Sequence, residues 1–351
     1  MEMQRYFLGA NSPEGFYGYF QQAYTEGWRV WLLKGGPGTG KSTLMRQVAQ
    51  NLPGTWEWIH CSSDPKSLDA VICQEKKVMI ADATAPHSME ALRPGCIERL
   101  IDLGVGFDAK RLRADAPTID MLFRENAALH RRAVHYMAAA AEVQQARLEQ
   151  AAAALDTAAV KKLAEQYVPA AAQRTEKGEW RRRGLSAVTP DGIVFFRETV
   201  YAMAQKIIAL NDDWGAAAPV FLSALQELLR RQKEDMTVCN CSLFPKSRLE
   251  HILLPQKSTA YVTVNAAHAI ADAAEEVELR NMYGVNRPGT RESLLRMQAQ
   301  EKQLLEAASG CMYQARLTHD ELEKYYVCAM DFSYVQKRTA ALIEEIQEQW
   351  E

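Results

Sequence analysis

The segment Trp28-Arg-Val-Trp-Leu-Leu-Lys-Gly-Gly-Pro-Gly-Thr-Gly-Lys-Ser-Thr-Leu-Met45 decides how this chain can fold. It begins with an apolar run that is typical of a buried β-strand. A glycine-rich turn follows and matches the pattern G-x-x-x-x-G-K-[ST]. Apolar residues then recur at the spacing of a helix, as Leu44, Met45, Val48 and Ala49. Strand, turn and helix therefore follow one another in the order that a phosphate-binding loop requires.

The residue types in this turn have a chemical explanation. Glycines let successive backbone N–H groups converge on phosphate oxygens, and the start of the helix adds a partial positive charge. Lys41 can reach the β- and γ-phosphates of a nucleotide, and Ser42 can hold Mg²⁺. We therefore expect the nucleotide to be held by Gly35, Gly36, Pro37, Gly38, Thr39, Gly40, Lys41, Ser42 and Thr43. The alternative is an ordinary glycine-rich turn between a strand and a helix. All positions of the motif and both flanking segments argue against that alternative.

A second apolar run ends on an acidic residue. Val-Met-Ile-Ala precedes Asp82 and predicts a strand, Val78–Ala81, whose carboxyl end carries that carboxylate. Ligands bind at such strand ends in parallel sheets, so Asp82 is expected to share Mg²⁺ with Ser42 as the Walker B residue. The alternative is an aspartate that caps the next turn.

Residues near two strand ends are candidates for orienting an attacking water. Asp64 follows a predicted strand at Trp56–Cys61, and it is either a water-positioning carboxylate or a helix cap. Thr84 and His87 come just after Asp82 and are either phosphate-side groups or turn residues. Together these interpretations make Lys41, Asp82, Asp64 and His87 the catalytic candidates.

The remaining segments of the first half predict an α/β fold. Residues 5–8 are expected to form a strand. A helix is expected from the N-cap Ser12 and Pro13 onward, with another at Lys66–Ile72. Strands that alternate with helices indicate a mainly parallel sheet covered on both faces.

Residues 118–168 contain neither glycine nor proline and are rich in Ala, Glu, Gln and Arg, which predicts long helices. One unbroken helix would be about 75 Å long, so we expect a hairpin with a break near Asp156-Thr157. The arginines of this segment are expected on a solvated face, or one of them in a lid: Arg124, Arg131, Arg132 and Arg147.

The second half of the chain repeats the first. Ser12-Pro-Glu-Gly15 recurs as Thr189-Pro-Asp-Gly192, and His87 recurs as His268. Two longer patterns, Cys61…Pro65-Lys-Ser67 and Ile97-Glu…Gly104, recur at Cys241 and Val277 with nearly the same offset. The sequence thus predicts a duplicated P-loop NTPase fold with long helical hairpins after each half. Its expected parts are an NTPase half at 1–106, a helical hairpin at 107–180, a degenerate half at 181–284 and a C-terminal helical segment at 285–351.

The second copy lacks the residues that would bind Mg-ATP. Gly215 aligns with Gly40, Thr263 aligns with Asp82, and alanines replace the lysine and serine of the motif, as Ala216 and Ala217. Asp212 and Asp213 would repel a triphosphate. We expect a structural or regulatory pseudo-site in this half.

Two further patterns have simple structural interpretations. Tyr325, Cys328 or Ala329, and Phe332 repeat at helical spacing, which predicts core packing. Cys239-Asn-Cys241 is a weak metal pattern, because no second pair of thiols accompanies it.

Composition gives the broad class. The chain has 351 residues, a net charge of −3 and 7 scattered cysteines, which suits a reducing cytosol and gives no overall attraction to nucleic acid or acidic membranes. Arg181–Arg183 is thin support for nucleic-acid binding. The N-terminus lacks the apolar core of a signal peptide, and no run is long enough to span a bilayer. A cytoplasmic protein is therefore expected.

Several of these segments resemble a family of bacterial, largely Firmicute, P-loop ATPase-like proteins built from two tandem NTPase halves. The matching segments are Gly9-Ala-Asn-Ser-Pro-Glu-Gly15, Lys34-Gly-Gly-Pro-Gly-Thr-Gly-Lys-Ser42, His60-Cys-Ser-Ser-Asp-Pro65, Asp82-Ala-Thr-Ala-Pro-His87, Pro94-Gly95, Thr189-Pro-Asp-Gly192 and the helix around Asp331-Phe332. The resemblance implies ATP binding. This chain departs from members that keep a second P-loop.

Three functions are consistent with these patterns. The first is an ATPase whose cycle moves the helical arms or changes the binding of a protein partner. A small-molecule kinase is the second, and it would need an acceptor pocket and an arginine-bearing lid. The third is a nucleotide-binding scaffold that does not hydrolyse its ligand. ATP is favoured over GTP because the guanine-reading motif Asn-Lys-x-Asp is absent. The long helices are expected to mediate either self-association or partner binding.

Overall fold

The computed structural model describes residues 4–85, 88–171, 178–284 and 289–350. The first half contains the strands β1 (Gln4–Tyr6), β2 (Gly9–Ser12), β3 (Gly15–Gly18), β4 (Arg29–Lys34), β5 (Trp56–His60), β6 (Leu68–Cys73), β7 (Val78–Asp82) and β8 (Glu98–Asp102). Its helices are α1 (Lys41–Asn51), α2 (Ala109–Ala114), α3 (Ala116–Ala152) and α4 (Thr157–Gln166), with short 3₁₀ turns at Phe20–Gln22 and Leu103–Gly106.

Within the described ranges, the second half has the same number of strands in a similar order, with differences in its helices. Its strands are β9 (Trp180–Arg183), β10 (Ser186–Thr189), β11 (Gly192–Phe195), β12 (Lys206–Asn211), β13 (Met236–Asn240), β14 (Leu249–Leu254), β15 (Thr259–Val264) and β16 (Glu275–Val277). Its helices are α5 (Arg197–Met203), α6 (Ala217–Arg231), α7 (Thr290–Cys328) and α8 (Phe332–Glu348), with 3₁₀ turns at Pro255–Lys257 and Leu279–Met282.

Both halves form a six-stranded mixed sheet with the same strand order. The first sheet runs β1-β5-β6-β7-β4-β8, and the second runs β9-β13-β14-β15-β12-β16. In each, the third strand is antiparallel to both neighbours and the other pairs are parallel. A register shift also recurs, at Ile59/His60 and at Cys239/Asn240. The mixed α/β fold is therefore compatible with the duplication that the sequence predicts.

The prediction of a mainly parallel sheet was wrong in one respect. Residues 68–73 form the antiparallel strand β6, whereas the sequence predicted a helix at Lys66–Ile72. All six residues of this strand are buried, because it lies between β5 and β7 with the sheet faces covered. A short apolar run of this kind does not distinguish a buried strand from a buried helix by its periodicity.

The helix expected after Ser12 is also absent from the described structure, where β2 and β3 form a hairpin. The Ser12 hydroxyl donates to the carbonyl of Gly15 at 2.7 Å and accepts from the N–H of Glu14 at 3.3 Å. Gly15 adopts a φ of 100°, which ends the turn in a conformation that favours glycine. The same bonds recur between Thr189 and Gly192, so the repeated four-residue motif is a hairpin turn.

The long helices are exchanged between the halves. The predicted break is confirmed, since α3 ends at Ala152 and the Asp156 carboxylate caps α4 through the N–H of Ala159. The predicted hairpin within 107–180 was wrong, because α3 packs antiparallel along α7. Further along, α4 packs on α6 of the second half, and α8 packs on α1 of the first half. Residues from α8, Leu342 and Ile346, accordingly belong to the core around α1.

Two pairs of contacts show that this exchange has approximate twofold symmetry. Phe7 and Gly184, which are equivalent residues, pair through reciprocal N–H to carbonyl bonds of 2.8 and 2.7 Å. The N–H of Asp108 donates to the carbonyl of Ala329 at 2.7 Å, and Gly284 does the same to Ala154 at 2.7 Å. The corner between each pair of long helices is thus attached to the sheet of the opposite half.

The helices of the described ranges were also compared with the requirements of a bilayer. None of them combines the length and the apolar character needed to cross one.

Candidate phosphate-binding site

The glycine-rich turn joins β4 to α1 as the sequence predicts. Gly38 and Gly40 adopt φ values of 66° and 83°, in the left-handed region that favours glycine. Gly40 is the N-cap of α1, so the first N–H groups of this helix face the turn. Within the described ranges, the N–H groups of residues 38–42 make no hydrogen bond to a side chain. These donors have the arrangement that binds an oxyanion at a helix start.

Lys41 lies over this turn. Its Nζ donates to the carbonyls of Gly35 and Gly36, both at 2.8 Å, and lies 3.6 Å from Asp82 Oδ2. Both side chains are largely buried, with exposed fractions of 12% for Lys41 and 17% for Asp82. Because little water screens this pair, the lysine and the carboxylate interact strongly beside the loop.

Asp82 reaches the loop through the sheet. Asp82 is the last residue of β7, which pairs in parallel with β4. Its register partner on β4 is Leu33. Thr84 extends this contact, because its N–H donates to Asp82 Oδ1 at 2.8 Å and its hydroxyl donates to the carbonyl of Gly35 at 2.9 Å. The structure therefore brings Lys41, Asp82 and Thr84 together at the carboxyl end of two neighbouring strands.

Ser42 and Asp64 both contact the residues at the start of β6. The Ser42 hydroxyl accepts a hydrogen bond from the N–H of Leu68 at 3.0 Å. Asp64 accepts from the Ser67 hydroxyl at 2.5 Å and from the N–H of Lys66 at 3.3 Å, so it caps the turn before β6. No hydrogen bond within the described ranges joins Asp64 to Lys41 or Asp82. Its predicted alternative role as a cap is therefore the one that its contacts match, although the cap precedes a strand.

Two other predicted residues have simpler outcomes. His87 lies outside the described residues. Thr43 lies in the first turn of α1 with its side chain exposed.

The corner between α7 and α8 covers the loop, which sequence reasoning missed. A Cβ atom on Gly38 would lie 2.8 Å from Val327 and 3.1 Å from Glu323, and one on Gly36 would lie 3.1 Å from Tyr326. The start of α8 is near Gly40 through Val335. The prediction of core packing is confirmed for Ala329, whereas Cys328 is exposed and the Phe332 side chain is 39% exposed. No local signal could have revealed this contact, because it depends on which half the helices pack against.

An open groove of about 400 Å³ borders the loop on the side away from Asp82. It is lined by the segment after β8 and by the corner between α7 and α8: Val105, Gly106, Phe107, Asp108, Cys328, Ala329, Met330, Asp331 and Tyr334. Phe107 connects groove and loop, since its ring lies 3.5 Å from the position of a Cβ on Gly36.

The corresponding loop of the second half is one residue shorter. Asp212–Ala216 joins β12 to α6, and the N-cap is Ala216. Counted from the helix start, Ala217 and Ala218 correspond to Lys41 and Ser42, which shifts the predicted alignment by one residue. Thr263 does occupy the position of Asp82, because each is the register partner of the leucine before the end of its neighbouring strand.

Asp212 points into this loop rather than away from it. Its carboxylate accepts from the N–H of Gly215 at 2.9 Å and from the N–H of Ala218 at 2.7 Å. The Tyr283 hydroxyl donates to Asp212 at 2.7 Å and accepts from the N–H groups of Ala216 and Ala217 at 3.0 and 2.6 Å. Four successive N–H groups of the loop are therefore satisfied by the chain itself.

Arg147 belongs to this second loop and not to a solvated face. Its side chain is buried and donates to the carbonyl of Trp214 and, at 2.9 and 3.1 Å, to Glu301 of α7. Arg248 donates to the carbonyl of Gly215 at 3.2 Å. The lid role that the sequence left open for an arginine is thus not fulfilled by Arg147 at the first loop.

Glu250, His251 and His268 form a buried cluster elsewhere in the second half. The N–H of Thr263 donates to His251 Nδ1 at 3.2 Å, so the neutral ring carries its proton on Nε2, 3.7 Å from Glu250. Burial lowers the pKa of His251 to about 3, and Glu250 opposes this shift. A protonated Nε2 offers no lone pair to a metal, so the arrangement favours a polar core contact.

The weak metal pattern at Cys239 and Cys241 has a similar outcome. Both thiols are buried, and burial raises the pKa of Cys241 to about 11 and that of Cys239 further. Metal binding needs the thiolate, which this environment disfavours.

The geometry of the first loop is therefore the main support for any function. Backbone donors, one lysine, one carboxylate and three hydroxyl groups meet there, and this set suits a phosphate group together with a hard cation. Comparisons with protein-family models, curated proteins and solved structures find no match for this chain.

Proposed function

We propose that the first half binds a nucleoside triphosphate, ATP in preference to GTP, together with Mg²⁺. The observation that carries this proposal is the position of Lys41 Nζ, 2.8 Å from two loop carbonyls and 3.6 Å from Asp82. A triphosphate on this loop would meet the lysine and the N–H groups of residues 38–42 at once. The binding residues are then Gly35–Thr43, as the sequence indicates.

Mg²⁺ would be held by Ser42 and Asp82. The donor set fits this ion, because Mg²⁺ prefers oxygen ligands and commonly uses one or two carboxylates with substrate phosphates. When bound, the ion would neutralise charge on the phosphates. The Ser42 hydroxyl accepts one hydrogen bond from Leu68 and keeps a lone pair for a cation.

We further propose that ATP hydrolysis moves the exchanged helices. Glu323, Tyr326 and Val327 of α7 lie against Gly36 and Gly38, so a change in the loop acts on this helix first. Because α7 packs along α3, the movement would extend to the paired helices. Their solvent-facing surfaces are then the candidates for a protein partner or for self-association. Nucleic acid is a weaker candidate, since the chain carries a net charge of −3.

One observation favours the alternative of a nucleotide-binding scaffold that does not hydrolyse ATP. Asp64 is engaged in a turn, and each of its carboxylate oxygens already accepts a hydrogen bond, from Lys66 or from Ser67. A small-molecule kinase is less supported. The side chains nearest to Gly36 and Gly38 in the described ranges are those of Phe107, Glu323, Tyr326 and Val327, and none of these four is the cationic lid residue that such enzymes use.

The experiment that tests this proposal is nucleotide binding and phosphate release by the whole chain. Calorimetric titration with ATP, GTP and ADP in Mg²⁺ should give ATP binding for the wild type and a loss of at least about tenfold for Lys41→Ala, because a charge-assisted contact is removed. Lys110→Ala, which removes an exposed lysine at α2, is the matched control and should bind ATP normally. Equal affinities for the wild type and Lys41→Ala would refute the site.

Phosphate release then separates the three functions. Release without an added acceptor supports the ATPase, and acceptor-dependent ADP release supports the kinase. Binding with neither supports the scaffold.

A further inference from the structure

The second half keeps the shape of a phosphate-binding loop but fills it from within. Asp212 is almost fully buried and accepts from two loop N–H groups and from the Tyr283 hydroxyl. Tyr283 in turn accepts from the two N–H groups between them. The carboxylate and the phenol oxygen thus occupy the space in front of the first turn of α6.

The two loops are equivalent by position. Each follows the second-last strand of its sheet order and precedes the helix that packs on that sheet. Each is also covered by a long helix, since a Cβ atom on Gly38 would lie 3.1 Å from Glu323 of α7 and one on Gly215 would lie 3.5 Å from Leu148 of α3. The loops differ in what their N–H groups contact, because side-chain acceptors are found only in the second loop within the described ranges.

Two arginine side chains also lie beside the second loop. Arg248 Nη2 and Arg147 Nη1 lie 2.9 and 3.5 Å from the position of a Cβ on Gly215. Backbone N–H groups at a helix start also favour negative charge. A carboxylate in this place offers two acceptor oxygens, as a phosphate group would offer its own.

We propose that Asp212, positioned by Tyr283, substitutes for a bound phosphate group in the second half. This half is then permanently in the liganded arrangement, and its loop has no donors left for a nucleotide. The role differs from the repulsion that the sequence suggested, because the charge of Asp212 is used to hold the loop. Only the first half can then respond to a ligand. The inference concerns the second loop alone and stands whether or not the first half binds ATP.

The test is whether the second loop binds a small anion once the Asp212 carboxylate has been removed. Removing the carboxylate with Asp212→Gly should leave a loop that accepts inorganic phosphate or sulfate. Lys41→Ala serves as the background, so that anions bound at the first loop do not contribute. Thermal unfolding is measured in phosphate and in chloride at equal ionic strength.

In chloride, Asp212→Gly should unfold at least about 5 °C below its background, because three hydrogen bonds to a buried carboxylate are lost. Phosphate should then raise its midpoint by about 3 °C or more beyond the rise in the background. Asp213→Gly is the matched control, since Asp213 is exposed and should show neither effect. The proposal would be overturned if phosphate raised the midpoint equally in the Lys41→Ala background and in that background with Asp212→Gly or Asp213→Gly. It would also be overturned if Asp212→Gly did not lower the midpoint in chloride.

Two further measurements cover a variant that does not fold in chloride. Its refolding yield should then be higher in phosphate, and equal yields in both salts would count against the proposal. Tyr283→Phe removes the phenol oxygen but keeps the Asp212 carboxylate. It should lower the midpoint without creating a phosphate response, and a response as large as that of Asp212→Gly would contradict the role assigned to Asp212.

Discussion

Phe107 and Tyr283 hold equivalent positions in the two halves, because each follows the 3₁₀ turn after the last strand and forms an isolated β-bridge to a corner of the long helices. The equivalent of Gly284 is therefore Asp108 and not Gly104, so the predicted match of Ile97-Glu…Gly104 with the segment at Val277 was wrong in its offset. Each of the two rings contacts the strand–helix loop of its own half. The Phe107 ring lies 3.5 Å from the Cβ position of Gly36, whereas the Tyr283 hydroxyl is 2.6 Å from the N–H of Ala217. Only the tyrosine carries an oxygen that can accept from loop amides. The first loop therefore keeps its donors, and Phe107 instead lines the adjacent groove.

The first prediction concerns this groove. If the phosphates of ATP lie on the loop, the base is expected in the groove beside Phe107. Phe107→Ala should weaken ATP binding by about 1–3 kcal/mol through lost stacking, without weakening tripolyphosphate binding. Titration with both ligands measures this difference. Phe123→Ala is the control, because it removes a ring near Tyr326 that does not line the groove. Equal losses for both ligands would place the base elsewhere.

A second prediction separates the two roles of Asp82. In Mg²⁺, Asp82→Asn should weaken ATP binding by at least about 10- to 100-fold. This is the typical loss when a metal site loses a supporting residue. In a chelator the sign should reverse, because the variant removes a negative charge that lies 3.6 Å from Lys41 and would face the phosphates. Asp102→Asn, at the end of β8, is the control, and its effect on ATP binding should not change sign between Mg²⁺ and the chelator. A loss of equal size with and without Mg²⁺ would indicate that Asp82 does not hold the ion.

The third prediction tests the contact between α7 and the loop. Gly38→Ala should destabilise the protein for two reasons: its φ of 66° is unfavourable for alanine, and the new Cβ would lie 2.8 Å from Val327. Val327→Ala removes the second cause only. Urea unfolding of both single variants and the double variant should give a coupling of about 0.5–3 kcal/mol in favour of the double variant. Additive effects would show that α7 does not rest on the loop in solution.

Parts of this site could be predicted from local sequence. The order of strand, glycines and helix places Lys41, and an apolar run places Asp82 on a strand beside it. Repeated motifs predict the duplication from the sequence alone. Local patterns suffice here because each depends on residues that are close in the sequence.

Other parts depend on long-range packing. The six residues of β6 read equally well as helix or strand, and only their two neighbouring strands decide between these structures. The exchange of α4 and α8 was unpredictable for a related reason, since an amphipathic helix does not specify which of two similar sheets it covers. The sequence reveals only the negative charge of Asp212, which predicts repulsion of a triphosphate. Its role in the structure depends on the direction of four N–H groups of the loop.

A fourth prediction follows from the buried His251. Burial lowers its pKa from the ordinary value of 6.5 to about 3, despite the neighbouring Glu250. The ring is therefore neutral in the folded state, and the unfolded chain binds one more proton below pH 6.5. Stability from this residue is complete above that pH and is lost as pH falls toward 3, by up to about 1.4 kcal/mol per pH unit.

Urea unfolding between neutral and mildly acidic pH measures this slope. His251→Asn should lower stability at neutral pH and flatten the slope, because asparagine does not titrate. His135→Asn, at an exposed position, should leave the slope unchanged. If the free energy of unfolding of His251→Asn changed with pH as steeply as that of the wild type, other groups would be the cause of the acid sensitivity.

The fifth prediction tests the exchange of helices directly. Leu342 of α8 is fully buried against the core that contains α1, and Val160 of α4 is fully buried against the core that contains α6. Leu342→Ala should therefore increase amide hydrogen exchange in α1, although Leu342 follows the second half in sequence. Val160→Ala should increase exchange in α6 instead, with α1 unaffected. Each substitution leaves a cavity that costs about 1–5 kcal/mol, which is large enough to change local opening. If each variant instead loosened the half that precedes it in sequence, the helices would pack within their own halves, and the route proposed from the first loop to α7 and α3 would be wrong.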